Sequence, residues 1–336
     1  MDTRTLGRTG RTVSVIGLGT WQLGADWGDV SESDATAVLA ASVDAGVTFF
    51  DTADVYGDGR SEQIIGRFLA GSDAAAGITV ATKMGRRVDQ LAENYTLANF
   101  RAWTDRSRAN LGMDTLHLVQ LHCPPSDVVE SDEVYDALDT LVAEGAIAAY
   151  GVSVETCDQA LAAIERPGLA SVQIILNAFR LKPLEAVVPA ARAAGVGIIA
   201  RVPLASGLLT GKYTRETTFA ANDHRNYNRD GSAFDVGETF SGVDYETGLA
   251  AAAEFAALVA SLTEQGRPEE LTPAQAALAW VAQIDGVSAV IPGARSVQQA
   301  RGNAAAGSAA PLSLAFNEGV QDIYDRMLRD QIHPRW

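Results

Sequence analysis

The residue pattern predicts an α/β architecture, a closed (β/α)8 TIM barrel with an N-terminal β-hairpin and long rim loops. Three observations carry that expectation. Short apolar runs alternate with stretches of helical period along nearly the whole chain, which implies parallel strands joined by returning helices. Eight such runs in one chain favour a closed barrel over an open doubly wound sheet, and Gly17-Leu18-Gly19-Thr20-Trp21-Gln22 lacks the third glycine of a dinucleotide-binding turn. Finally, three consecutive runs close on Asp51, Lys83 and His122, and a barrel gathers its C-terminal strand ends at one mouth.

Taken in order, Thr3 to Leu6 and Thr12 to Ile16 flank Gly7-Arg8-Thr9-Gly10 and read as a hairpin placed to plug one end of the barrel. Strands are expected over 16–19, 47–51, 78–83, 116–122, 147–154, 171–177, 196–203 and 287–292. Helices are expected over 31–45, 61–70, 96–111, 131–144, 155–165, 184–194, 247–264 and 273–284. After the second strand, Gly57 and Gly59 relax the backbone and Ser61 is placed to cap the next helix. Thr272-Pro273-Ala274-Gln275 offers a cap, a proline at the first helical position and a capping-box glutamine; Ser296 and Gln299 share the box spacing. The stretch from Thr214 to Tyr245, rich in Asn, Asp, Gly and Arg, is long for a connection and reads as a rim loop over the site or a partly mobile one. No repeat beyond the βα units, low-complexity tract or linker divides residues 1–336, so one domain is expected.

With 47% hydrophobic residues the chain has ample material for a core, and its net charge of −16 argues against nucleic-acid or anionic-membrane partners. Lysine is confined to Lys83, Lys182 and Lys212. Cys123 and Cys157 are too few for a disulfide framework and lack metal-ligand spacing, so reduced thiols, a cytoplasmic location and no metal are expected. Met1 to Gly10 has no apolar signal core, and no run approaches a membrane span.

Asp51, Lys83 and His122 would face one another at the barrel mouth, with Tyr56 leaning in from the loop after Asp51. Singly, each has an ordinary reading: a structural ion pair, a core histidine, a loop aromatic. Jointly they make a proton donor. A tyrosine has an ordinary pKa of about 10; an adjacent ammonium lowers it, and a carboxylate keeps that ammonium charged and in place. A histidine beside them can donate a hydrogen bond to a carbonyl oxygen, which suits a developing alkoxide.

The stretch Phe50-Asp51-Thr52-Ala53-Asp54-Val55-Tyr56-Gly57-Asp58-Gly59-Arg60-Ser61-Glu62 resembles the signature of the aldo-keto reductase superfamily, and the likeness covers nearly the whole chain. It implies that Tyr56 is the general acid, that Lys83 and Asp51 tune it, that His122 orients the carbonyl and that a reduced nicotinamide gives the hydride. It also implies a cofactor bed. Gly19, Thr20, Trp21 and Asp51 border it, while Ser153 and Gln173 hold the carboxamide, Val154 standing where the family has asparagine. Pro203-Leu204-Ala205-Ser206-Gly207-Leu208-Leu209-Thr210-Gly211-Lys212 resembles the pyrophosphate loop: small residues let backbone N–H groups approach phosphate, and Lys212 adds charge. Gly293 and Arg295 lead into a helix whose N-terminus is a ready anion site. By resemblance it takes the adenosine 2′-phosphate, with Gln299 and Asn303 near the adenine, which favours NADP(H) over NAD(H).

Two positions depart from the family pattern. Arg201 stands where an aromatic often stacks on the nicotinamide; a guanidinium is planar and can stack, but as a cation it is expected to disfavour the oxidised ring, or alternatively to bind a substrate carboxylate. His122-Cys123-Pro124-Pro125 lacks the acid that commonly follows the proline, which should shift loop packing rather than chemistry. Trp21, Trp27 and the aromatics of 214–245 are candidate substrate walls. The expected activity is NADPH-dependent, reversible reduction of small aldehydes or ketones; the alternative is an NADP(H)-binding regulatory or sensor protein of the same fold with little turnover.

Overall fold

Strands covered on both faces need apolar residues at successive positions, and that run-on pattern matches the barrel strands, which are buried throughout except at Gly19. The computed structural model describes residues 1–24, 30–72, 75–221, 223–264 and 270–336. Its barrel strands are β1 (Leu18–Gly19), β2 (Phe49–Asp51), β3 (Thr79–Met84), β4 (Leu118–His122), β5 (Tyr150–Ser153), β6 (Leu169–Ile175), β7 (Gly197–Arg201) and β8 (Val287–Val290). They form one parallel sheet in chain order. Parallel bridges from Ile16 to Val290 and from Gly19 to Gly293 join its two edges into a barrel.

Several expected bounds shift, each for a local reason. Ile147 meets Leu116 only through an isolated bridge, so β5 begins at Tyr150. The seventh strand stops at Arg201 because Val202 turns to φ 52, and the eighth stops short of Pro292, which has no N–H for a ladder. Ser61 is not a cap. The helix Arg60–Ala70 has Gly59 at its N-cap, and the Ser61 hydroxyl instead donates toward Thr20 (Oγ1 at 2.9 Å, carbonyl at 3.1 Å) and accepts from Thr52 Oγ1 at 2.9 Å. It thereby ties the loops after β1 and β2 together. The helix Pro273–Ala282 carries the expected Thr272/Gln275 capping box in full. At Ser296 only half forms: Ser296 Oγ accepts from the Gln299 N–H, while Gln299 Oε1 accepts from the N–H of Arg295 at 2.7 Å. A C-terminal helix, Leu314–Met327, was not read from the sequence; Phe316, Val320, Ile323 and Tyr324 form its buried face.

The hairpin Thr3–Thr5/Thr12–Ser14 pairs antiparallel and closes the N-terminal end. Arg4 donates to the Ile284 carbonyl at 3.2 Å, and Arg8 donates to those of Leu169 at 3.2 Å and Ala194 at 2.6 Å, all near strand starts. Leu6 and Val13 complete an inner core with Phe49, Ala81, Leu118, Ile199 and Ala289. Each large member contributes about 1.5–3 kcal/mol by burial. Side chains two residues apart on a strand share a face. The layer above that apolar plug is therefore Asp51, Lys83, Gln120 and Arg201, with His122 one step higher on β4. The plug at one end and the polar layer at the other put the site at the C-terminal mouth.

Candidate active site

Asp51 Oδ1 and Lys83 Nζ form an ion pair at the strand ends, with side chains only 3% and 2% exposed. Gln120 Nε2 and Gln173 Nε2 donate to the other Asp51 oxygen at 3.2 and 2.8 Å. Lys83 also donates to the Thr52 carbonyl at 3.0 Å and to Tyr56 Oη at 3.4 Å. Tyr56 reaches this point on a loop that passes very close to the backbone of Gly24. Gly57 has φ +59, and a Cβ there would sit 2.1 Å from the Gly24 carbonyl oxygen, so the passage requires glycine. The Trp21 ring stacks on Tyr56 at 5.9 Å and 16°, and His122 meets the Tyr56 ring edge-on at 5.9 Å.

The electrostatics of the group depart from the expectation in one respect. Burial raises the Tyr56 phenol above its ordinary value and outweighs the lowering by Lys83. The phenol is thus held protonated. Burial alone would pull Lys83 down, but the Asp51 carboxylate and then Tyr56 outweigh it and the ammonium value rises. Burial, then the charges of Arg86, Lys83 and Arg201, press His122 well below its ordinary value. The imidazole is neutral, and its Nδ1 is buried without a hydrogen-bond partner among the described residues.

Beside this group lies a four-charge cluster. Arg201 donates to Glu155 Oε2 at 2.7 Å and to the Val154 carbonyl at 3.1 Å, and its other amino group is 3.1 Å from Glu238 Oε1. Arg86 lies 3.5 Å from Glu155 and 3.9 Å from Glu238, and donates to the His122 carbonyl at 3.2 Å. Arg201 is therefore paired twice, which removes the isolated cation expected at the end of β7. Cys123, Glu155 and Glu238 bring potential ligand atoms within 4.8 Å of one another. Both carboxylates are spent on guanidiniums, and burial first, then Glu155, pushes the thiol up to about 12.

A cleft of about 680 Å³ opens over the barrel mouth, a size that suits a small-molecule site. Gly19, Thr20, Trp21, Asp51, Tyr56, Gln173, Arg201, Pro203, Leu204, Ser206, Gly207, Lys212, Gly293, Arg295, Gln299 and Asn303 line it together. Lys83, His122, Ser153 and Leu208 are not among its lining residues: all four are buried, and the Ser153 hydroxyl lies 3.4 Å from the Cys123 sulfur. Trp27 lies outside the described residues. The Pro203–Lys212 loop turns through positive φ at Ala205, Ser206 and Gly207. Arg295, Lys212 and the N-terminus of the helix Val297–Ala305 bring positive charge and N–H donors to the cleft lining. Gln22 Oε1 and Arg201 Nε are buried in its lining with no hydrogen-bond partner among the described residues. A cleft that joins phosphate-type donors to an unpartnered Gln22 Oε1 and Arg201 Nε fits a phosphorylated dinucleotide.

Lining residues that were not read from the sequence include Gln22, Tyr213, His224 and Glu238. The last three come from segment 213–245, which folds onto the cleft through the short helix His224–Tyr227 and the turn Val236–Glu238. Phe234 packs edge-on against Trp21 at 5.9 Å, whereas Tyr227 is exposed. No periodicity marks that segment. Gln120 was readable, being a polar residue two positions before His122 on the same face.

A model of the Aldo/keto reductase family matches residues 15–325. The chain belongs to that family. An uncharacterised oxidoreductase, Mb2320, of Mycobacterium bovis is 34% identical over 305 residues, 88% of this chain and 84% of that one. The aldo-keto reductase yakc [NADP(+)] of Schizosaccharomyces pombe is 28% identical over 89% of this chain and 84% of its own length. Among solved structures, the glycerol dehydrogenase AKR11B4 of Gluconobacter oxydans superposes with a TM-score of 0.79 at 29% identity, covering 100% of this chain and 98% of that one. Like these relatives, this aldo/keto reductase is an oxidoreductase by family. Among its described residues, no helix is long and apolar enough to cross a membrane.

Proposed function

We propose that the chain acts as a single domain that reduces small aldehydes or ketones to alcohols with NADPH, Tyr56 giving the proton. The observation that carries the reading is the buried line Asp51–Lys83–Tyr56 ending against a neutral His122. When bound, the reduced nicotinamide supplies the hydride. Tyr56, protonated because it is buried, gives its phenolic proton to the carbonyl oxygen as that oxygen becomes an alcohol. Lys83 stabilises the phenolate left behind, and Asp51 keeps Lys83 charged. A neutral His122 donates one hydrogen bond to the carbonyl oxygen and so fixes its angle without adding a cation. Arg295 and Lys212, with the adjacent helix N-terminus, supply the charge that an extra 2′-phosphate calls for, and the NADP(+) in the name of the fission-yeast relative points the same way.

The test is NADPH oxidation by the purified protein against aldehydes, ketones and dicarbonyls, with NADH in parallel. Tyr56→Phe should lower turnover by about 10²–10⁴-fold while leaving NADPH binding intact. Full activity in Tyr56→Phe rules out the mechanism. Tight NADPH binding with no turnover on any substrate replaces the reductase reading with the regulatory one.

A further inference from the structure

We infer that the Arg86–Glu155–Arg201–Glu238 cluster is the specificity wall of this site, and that it selects small neutral carbonyl compounds bearing hydroxyl groups over alkyl and anionic ones. The inference rests on the reductase reading and names its substrate class.

The proton donor stands between two unlike walls. On one side Trp21 stacks on Tyr56 and is backed by Phe234, a flat apolar surface suited to C–H groups. On the other, Glu238 and Arg201 line the cleft, with Glu155 and Arg86 paired behind them. Arg86 donates to the His122 carbonyl at 3.2 Å, and Glu238 and Arg201 share the cleft lining with Tyr56, so the cluster borders the reacting groups. Its side chains keep partial access to water: 23% for Arg86, 15% for Glu155, 10% for Glu238 and 8% for Arg201.

Charge balance decides what such a wall accepts. Two guanidiniums face two carboxylates, so the wall carries no net charge to attract an ionic substrate. An anion would compete with Glu155 and Glu238 for the same donors and meet their repulsion. An alkyl chain would strip water from charged groups and return no hydrogen bond, which leaves polar groups unpaired at a cost. A hydroxyl can do both jobs, donating to a carboxylate and accepting from a guanidinium. A short chain with C–H on one side and O–H on the other matches both walls at once.

The experiment compares hydroxyacetone with butan-2-one, similar in size and differing in O–H for CH3, and adds pyruvate as the anion. Substrate activation by the α-hydroxyl is cancelled by reading each selectivity ratio relative to the wild type. The wild-type protein should favour hydroxyacetone in kcat/KM by about tenfold or more, since sites built to hydrogen-bond a hydroxyl discriminate against its absence. Glu238→Gln and Arg86→Gln should each reduce that ratio several-fold, because hydroxyacetone loses more than butan-2-one does, and pyruvate should be the poorest substrate of the wild type. A merely structural role would lower all three together. Ratios unchanged in both variants, equal losses on all substrates, or a preference for butan-2-one or pyruvate would overturn the inference while leaving the reductase reading intact. NADPH binding without turnover on any carbonyl would remove both.

Discussion

Asp51→Asn should damage the fold more than Lys83→Met, although each breaks the same ion pair. Without Lys83, the Asp51 carboxylate keeps two amide donors, Gln173 at 2.8 Å and Gln120 at 3.2 Å. Without the Asp51 charge, the Lys83 ammonium keeps the Thr52 carbonyl at 3.0 Å and the neutral Tyr56 hydroxyl at 3.4 Å, in a side chain 2% exposed. A buried charge that loses its partner costs about 3–5 kcal/mol. The lysine can escape by deprotonating, and from its ordinary value of 10.5 that costs about 5 kcal/mol at pH 7, which sets the ceiling. Losing one of three partners at Asp51 should cost about 1–3 kcal/mol.

The pH dependence separates the two further. In the wild type Lys83 lies above its ordinary value, so its contribution is complete below 10.5 and is lost only as pH rises through the still higher folded value. Stability from this group is flat between pH 7 and 9. In Asp51→Asn burial outweighs the neutral acceptors that remain, so the folded lysine gives up its proton while the unfolded one still binds it. The deficit should therefore narrow by about 1.4 kcal/mol for each pH unit toward 10.5. Denaturant unfolding of the wild type, both single variants and the double variant at pH 7, 8 and 9 measures all of this. An Asp51→Asn deficit below about 1 kcal/mol, a deficit that ignores pH, or a larger loss in Lys83→Met would refute the reasoning.

The remaining predictions concern the cleft and acid stability. Arg295→Ala should weaken NADPH binding by about tenfold or more, a typical loss for a charge-assisted contact, and NADH binding far less; equal losses in a fluorescence titration would mean that Arg295 does not meet the 2′-phosphate. Gly207→Ala should weaken binding of either cofactor, because φ is +102 and the new Cβ would lie 2.2 Å from the Tyr213 hydroxyl, forcing the loop to move. A variant that binds as the wild type does shows that the loop is not part of the bed. Burial, then Arg11, lowers His117 to about 4, where its Nδ1 accepts the Val80 N–H at 3.1 Å. Its contribution is present above pH 6.5 and is lost as pH falls from there toward 4, so His117→Gln should flatten part of the acid limb of a stability–pH curve, and an unchanged limb would refute this.

What was legible in the sequence followed from strand periodicity. Asp51, Lys83 and Arg201 lie two positions beyond the apolar Phe49, Ala81 and Ile199, so the same alternation that builds the plug aims them into the mouth. Tyr56 was legible from the motif around it. The sign of its titration was not, because neighbours can be read from a chain but burial cannot, and burial is the larger effect. Ser61 was misread for a related reason: a serine near a helix start looks like a cap until tertiary structure offers its hydroxyl Thr20 and Thr52. Glu238 and His224 lay in a segment with no period to read, and only the folded chain brings them to the cleft.

Arg201 illustrates how far one substitution can be judged alone. Read in isolation, a cation where relatives often carry an aromatic should oppose a positively charged ring and attract a carboxylate. The fold gives that cation two acids, Glu155 from the loop after β5 and Glu238 from the rim segment, and a second guanidinium, Arg86, to share them. The four charges sum to zero, so a ring lying near them meets a flat polar surface rather than a net positive one. A substrate carboxylate could reach Arg201 only by displacing one of its glutamates, leaving that acid partly buried with only Arg86 to pair it. The departure at position 201 therefore belongs with the acids at 155 and 238, and its chemical effect is that of the set.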